Sequence, residues 1–225
     1  MCGRIALYSE PRRIARMMEA GIIDGEFEGW RPSWNLGPTR RILGVSSSAE
    51  GERTLSSYRW GLVPGWAKDP AAIKSTFNAR AETLATKPMF RNAFKQSRIL
   101  VPVDAFYEWK AGTPRQPHAF QRADGEPIVF AGLRARWRGP DDAVLRTATI
   151  ITTEAGPDME GIHNRQPVVL ERESWDHWLD PEATDRDELE SMLHPPAGGT
   201  LQHHPVIRDV GNVRNDGAYL LEPIG

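Results

Sequence analysis

Apolar residues recur along this chain in short runs broken by glycine, proline and charged clusters, a pattern of many brief elements rather than long helices. β-Branched and aromatic content predicts strands at 4–8 (RIALY), Arg41–Val45, Leu55–Trp60, Arg98–Val103, Ala105–Trp109, Pro127–Leu133, Leu145–Thr152, Gln166–Leu170 and His204–Val210. From Glu10 to Ala20, the apolar Ile14, Met17 and Met18 fit a short helix, with Pro11 near its start and Gly21 past its end. Pro88–Ser97 reads as a second helix, with Met89, Phe90, Ala93 and Phe94 on one side. Glu171–Leu179 and Thr184–Leu193 read as acidic helices separated by Asp180-Pro181. Trp30–Thr39 reads as loop, because two prolines and a glycine interrupt it, and Pro64–Pro70 is rich in turn residues. No βαβ rhythm appears. The expected class is α+β, with residues 1–225 forming one domain around a curled, mostly antiparallel or mixed, barrel-like sheet with a few short helices. The acidic segment 171–193 belongs to that domain.

Composition narrows the functional classes. The chain has 225 residues, 40% hydrophobic and 26% charged, ordinary for a soluble globular protein and enough to bury a core without staples. No apolar run approaches the length of a membrane span, so no membrane partner is expected. The N-terminal MCGRIALYSEPRR lacks the apolar core of a signal peptide. A reducing setting is expected, either a bacterial cytoplasm with nucleoid association or a eukaryotic nucleus. The net charge of −2 hides an asymmetry: residues 1–138 sum to +9 and residues 139–225 to −11. Of 28 basic side chains, 23 are arginine, whose planar fork suits phosphate contact and stacking on rings. That bias fits nucleic-acid binding and fits a GC-rich genome equally well. Segment 171–193, with nine carboxylates, reads as a solvated helical face that would also keep nucleic acid off that side. Of the eight tryptophans, Trp60, Trp137, Trp175 and Trp178 are expected to pack in the core or against helices.

The single cysteine, Cys2, excludes an intramolecular disulfide and a cysteine-cluster zinc site. Its place matters more. Methionine aminopeptidases remove Met1 when the second residue is small, which would leave Cys2 first, with a free α-amine two carbons from its thiol. Such a 1,2-aminothiol closes a five-membered thiazolidine on an aldehyde. With reference pKa values of about 8 for the amine and about 8.5 for the thiol, both are partly nucleophilic near neutrality. The competing reading is an accidental cysteine at a floppy terminus. While Met1 remains, the amine is blocked.

Four further segments stand in order behind Met-Cys-Gly-Arg. They are Arg59-Trp-Gly-Leu-Val-Pro-Gly-Trp66; Phe77-Asn-Ala-Arg-Ala-Glu-Thr83 with Lys87-Pro-Met-Phe-Arg91; Arg98-Ile-Leu-Val-Pro-Val-Asp-Ala-Phe-Tyr-Glu-Trp109; and Ile150-Ile-Thr-Thr-Glu-Ala155 with Gly161-Ile-His-Asn-Arg-Gln-Pro-Val168. Together they closely resemble the SOS response-associated peptidase (SRAP) family, from Cys2 to about Leu170 and again weakly at Val213-Arg-Asn-Asp-Gly217. The chain departs from the family pattern at Trp34-Asn-Leu-Gly-Pro-Thr39, at Pro64-Gly-Trp66 and at Arg165-Gln-Pro167, none of which touches a residue with an implied catalytic role.

The resemblance implies a sensor of abasic sites in single-stranded DNA that crosslinks to them through Cys2, with an associated autoproteolytic or peptidase activity and lyase-like imine chemistry. It implies Cys2 as nucleophile, Glu108 as acid–base group for opening the deoxyribose ring, His163 as hydrogen-bond partner of the sugar oxygen, and Asn78 as orienter of the Cys2 amine. Glu108, set in Phe-Tyr-Glu-Trp, is expected among apolar rings that raise its pKa. Arg4, Arg80 and Arg165 each stand two positions from one of these residues, a spacing that on a strand would point both side chains the same way. They are the expected phosphate contacts, with Asn35 a neighbour and Trp66 a stacking wedge. No cofactor and no metal are expected, since no residues have metal-ligand spacing, and His203-His204 is too close to project both rings to one side of a strand. The partner is single-stranded DNA with abasic sites, and the protein is expected to be monomeric. Two alternatives use the same residues differently: an N-terminal-nucleophile thiol peptidase or amidohydrolase with no DNA requirement, and a non-catalytic single-strand binding module.

Overall fold

The computed structural model describes residues 2–224, the side chain of Asp141 excepted. The described strands are β1 (Ile5–Leu7), β2 (Gly21–Ile22), β3 (Ser33–Leu36), β4 (Arg41–Ser47), β5 (Arg53–Trp60), β6 (Asn78–Arg80), β7 (Arg98–Val103), β8 (Ala105–Lys110), β9 (Gln116–Arg122), β10 (Ile128–Arg138), β11 (Val144–Glu154), β12 (Arg165–Pro167) and β13 (Leu201–Pro205). The helices are α1 (Pro11–Met17), α2 (Arg91–Gln96), α3 (Trp175–Leu179) and α4 (Arg186–Ser191).

Five strands close on themselves. β11, β10, β7, β4 and β5 follow one another as antiparallel neighbours, and β5 returns to β11 in parallel, Arg59 against Thr147 and Trp60 against Ala148. So narrow a barrel leaves little room inside. A Cβ added at Gly132 of β10 would stand 2.7 Å from Val101 Cγ2 and 3.0 Å from the Thr149 carbonyl oxygen, so only glycine fits. Gly132→Ala should cost about 1–3 kcal/mol through overpacking, read as a drop in Tm of several degrees by calorimetry. Outside the barrel, the buried Arg98 donates to the carbonyls of Phe94, Lys95, Trp178, Asp180 and Ala183, tying α2 and α3 to β7.

A second sheet, β13-β9-β8-β1-β3, lays one face on the barrel. Phe106 of β8 stacks on Phe120 of β9 at 4.8 Å and meets Phe130 of β10 edge-on at 5.6 Å. Its opposite face, with Ala6, Ala105, Tyr107 and Ala119, is covered by Val206, Val210 and Leu220 of the C-terminal segment. The mostly antiparallel, barrel-centred α+β architecture is the expected one. Several elements differ from the sequence reading. β3 lies inside the segment read as loop: Pro32 and Pro38 bracket it rather than interrupt it, and among the described residues this edge strand pairs only with β1. β9 falls in a run without clear alternation, and β2 and β6 are too short to register in a periodicity window. The last strand ends at Pro205, and a 3₁₀ turn at Arg208–Gly211 replaces its expected continuation.

Trp60, Trp175 and Trp178 are buried, and each indole N–H donates to a carbonyl, of Phe77, Leu170 and Ile99 respectively. Trp137 is half-buried and donates to Ala67 at 2.7 Å, whereas Trp66 stands 61% exposed. The acidic segment is amphipathic: Trp175, Trp178, Leu179 and Leu189 face the core and the carboxylates face out.

Candidate functional site

Four chain regions converge at the start of β1. Antiparallel pairing sets Ile5 against Phe106, and the Tyr107 amide donates to the Arg4 carbonyl, which draws the N-terminus along β8 toward Glu108. β6 and β12 meet there through β11. β6 runs parallel to it with Asn78 against Ile150, and β12 antiparallel with Arg165 against Glu154. The barrel strand β11 thus places Asn78 and His163 beside the terminus, although 85 residues separate them in the chain.

Cys2 is fully buried and packs with the core that includes Ile5 and Leu7. Burial pushes its thiol pKa well up, and the nearby Glu108 charge pushes it further, while a hydrogen bond from the Arg4 backbone pulls the other way. At neutral pH the sulfur is therefore a thiol. Asn78 Nδ2 donates to the Cys2 carbonyl at 2.7 Å, and Asn78 Oδ1 is buried without a hydrogen bond among the described residues. Glu108 is 3% exposed, and desolvation raises its pKa, opposed by the His163 ring, whose Nε2 lies 4.0 Å from Glu108 Oε2. The raised basicity comes from burial on the barrel-facing side of β8, shared with Phe106, whereas the flanking Tyr107 and Trp109 belong to the opposite face.

His163 Nδ1 lies 3.0 Å from both the amide nitrogen and the carbonyl oxygen of Arg165. The amide can only donate and the carbonyl can only accept. The ring can therefore accept from the amide with its hydrogen on Nε2, toward Glu108, or donate Nδ1–H to the carbonyl; either tautomer keeps a backbone partner and so fixes the ring's orientation.

The arginines are placed differently from one another. Strand alternation applies to Asn78 and Arg80, both within β6, and Arg80 is exposed. It does not apply to Arg4, because β1 begins only at Ile5 and residues 2–4 lie outside the strand. Arg4 instead turns to the C-terminal segment, donating to Asn35 Oδ1 at 2.8 Å and to the Val210 carbonyl at 2.6 Å. Asn35, itself buried, donates onward to the carbonyls of Asn212 and Asn215. Arg165 binds the Glu82 carboxylate and donates to the Thr152 carbonyl at 2.6 Å. Glu82, held below the usual carboxylate range chiefly by that arginine, fastens the turn after β6 to β12. The sequence reading missed Glu82 and Thr152 as supports. The Val213–Gly217 motif was the one sequence signal for the strap that Arg4 and Asn35 hold. Among the described residues, no group of three or more His, Cys, Asp or Glu side chains is placed to hold a metal ion, and no helix is long and apolar enough to cross a membrane. Met1, whose removal the sequence reading requires, lies outside the described residues.

Fold and site together define an α+β protein that sets a thiol at its N-terminal edge against a buried carboxylic acid, an imidazole and an amide. The chain belongs to the SOS response associated peptidase (SRAP) family, whose sequence pattern matches residues 1–213. Abasic site processing protein YoqW of Bacillus subtilis is 38% identical over 226 residues, covering 99% of each chain. YedK of Escherichia coli, also named an abasic site processing protein, is 33% identical over the whole of both chains. HMCES of Gallus gallus, likewise so named, is 31% identical over 100% of this chain and 78% of its own. A solved structure from Bacteroides thetaiotaomicron shares the fold, with a TM-score of 0.88 at 22% identity, covering 99% of this chain and 100% of that one.

Proposed function

We propose that this protein recognises abasic sites in single-stranded DNA and joins covalently to them through the amine and thiol of Cys2 once Met1 is gone. The observation that carries the reading is the meeting of Cys2, Asn78, Glu108 and His163 from four separate chain regions, in a family whose named relatives are abasic site processing proteins.

An abasic deoxyribose is mostly a closed hemiacetal. Glu108, its pKa raised by burial, gives a proton to the ring oxygen as the C1′–O4′ bond breaks, and the C1′ hydroxyl becomes the aldehyde C=O as its proton passes to solvent. The Cys2 amine attacks that carbon, and Asn78 Oδ1 accepts a hydrogen bond from the amine and aims its lone pair. Loss of one water leaves an imine. The sulfur then adds to the imine carbon, the C–N π pair moves to nitrogen, and the thiol proton ends on that nitrogen with Glu108 or His163 as carrier. A thiol held protonated acts late, so the amine leads. The product ring occupies both nucleophiles and is proposed to persist, shielding the lesion from strand cleavage.

DNA contact is proposed for the exposed Arg80 with a phosphate and for the exposed Trp66 as a stacking wedge. Arg4, Asn35 and Arg165 already hold internal partners, and their proposed part is to hold the cleft walls against which the strand lies. Intact-mass spectrometry tests the whole reading. Mature protein lacking Met1 should gain the mass of an abasic oligonucleotide less one water, and gain nothing from the same strand without the lesion. An equal result with both strands would overturn it. The word peptidase in the family's description keeps a thiol-hydrolase reading in play; it expects turnover of a peptide or amide without DNA.

A further inference from the structure

The face of the second sheet that carries Glu108 also carries a group of bases that the chemistry above does not use. Glu108 on β8 pairs directly with His118 on β9, and Lys110 follows two residues on, so all three point to one side of the sheet. The row continues on edge strand β13, where His203 pairs with Phe120 and lies 4.9 Å from its ring. His118 Nδ1 and His203 Nδ1 are 3.1 Å apart. His118 is buried, whereas His203 and Lys110 are exposed at the lip.

Little in the fold neutralises this row. His204, the next residue of that strand, pairs with Ala119 and points to the opposite face, its Nε2 2.8 Å from the Leu221 carbonyl. Asp158 is the nearby carboxylate, and its oxygens already accept the amides of Gly199 and Leu201 at 2.7 and 2.9 Å. Glu108 is engaged toward His163 and Cys2. Burial first, and then the neighbouring cationic groups, push both imidazoles below their ordinary basicity. A cluster of mutually repelling bases with Lys110 and His203 at the surface is what an anion would relieve.

We propose that Lys110, His118 and His203 form a subsite for a backbone phosphate of the DNA strand, next to the abasic sugar held at Cys2 and Glu108. The proposal rests on the abasic-site reading of the main site. At 3.1 Å, one Nδ1 must carry a hydrogen and the other a lone pair. In the neutral pair, the donor ring has a bare Nε2, which takes one proton without disturbing the contact. A second proton would set N–H against N–H. The pair therefore takes up a single positive charge, which a phosphodiester beside it favours. Affinity rises as pH falls, because the bound state holds the extra proton.

The probe is a single-stranded oligonucleotide bearing a tetrahydrofuran abasic analogue, which has no aldehyde, so anisotropy reads binding without crosslinking. Wild type should bind about three- to tenfold tighter at pH 6 than at pH 8, within the limit set by one linked proton. His203→Gln, at an exposed edge position, should flatten that profile. Lys110→Gln should reduce the slope of log affinity against log salt by about 0.7, the share of one phosphate contact to a single strand. If both variants keep the wild-type pH profile and salt slope while wild type crosslinks abasic DNA, the subsite is wrong and the main reading stands. If wild type neither binds the analogue nor crosslinks abasic DNA, the main reading falls and the subsite with it.

Discussion

Cys2→Ala should abolish the durable adduct with abasic single-stranded DNA while leaving a weaker one that appears only when borohydride is added. Alanine is also small, so Met1 removal should proceed and the α-amine should still reach the aldehyde. What is lost is the sulfur that converts the imine into a ring. An imine in water hydrolyses, whereas a thiazolidine must first reopen, so the two variants should differ by orders of magnitude in adduct lifetime, not only in yield. Heating the crosslinked material before denaturing electrophoresis, with and without reduction, separates the two species. Equally durable adducts from wild type and Cys2→Ala would rule out thiol closure. The packing cost of the change is modest: a fully buried thiol is replaced by a methyl group, so near-native Tm is expected and loss of adduct cannot be assigned to unfolding.

Glu108→Gln should slow adduct formation by about 10²–10⁴-fold, the usual share of a positioned acid–base group. Its pH signature is more telling. Burial raises the Glu108 pKa, so the carboxyl stays protonated above the ordinary carboxylate range and gives up its proton only as pH climbs through its raised value. Wild-type rates for ring opening should fall across that range, and Glu108→Gln should lose this limb while keeping the limb due to the amine. The stability contribution moves in the same direction with pH. A carboxyl with a raised folded-state pKa contributes stability that is complete below its unfolded pKa and lost as pH rises through the folded one. Glu108→Gln, which cannot ionise, should therefore leave Tm unchanged where the wild-type carboxyl is protonated and raise it relative to wild type as pH climbs through the raised pKa, a cost that function imposes on the fold. A lowered Tm at neutral pH, together with an unchanged pH–rate profile, would place Glu108 among structural residues instead.

Much of the site was readable because its motifs are short and local. Phe106-Tyr-Glu-Trp109 alternates on one strand, so Phe106 and Glu108 share the face toward the barrel and the acid is desolvated by the same packing that forms the core. The alternation argument does not extend to Arg4, for an equally physical reason. Alternation holds only within a regular strand, and the chain reaches β-geometry at Ile5, leaving Arg4 free to turn toward the carbonyls of Val210 and Gly211. Arg165 is expected as a phosphate contact from its place two positions after His163, and it also has a partner within the fold. Its bond to Glu82 depends on a turn 83 residues earlier in the chain, which no local pattern reveals. His203-His204 was set aside as a pair because neighbouring strand residues face opposite ways. That reasoning holds, and yet His203 meets His118 across the sheet, a contact visible only once β9 and β13 are paired.

The sequence by itself determined that Cys2, once Met1 is gone, would carry an amine and a thiol on one residue, because a 1,2-aminothiol needs no fold. It also determined the α+β class, through short alternating runs and frequent turn residues. The tertiary structure alone decided which groups face Cys2. Parallel pairing of β5 with β11 closes the barrel, and the end of β11 beyond it then carries β6 on one edge and β12 on the other, Thr152 pairing with both. Those pairings join residues scores of positions apart, and their register rests on packing inside a barrel too narrow for a side chain at Gly132. Local propensity carries no information about such long-range closure, whereas the close-packed interior leaves it little choice.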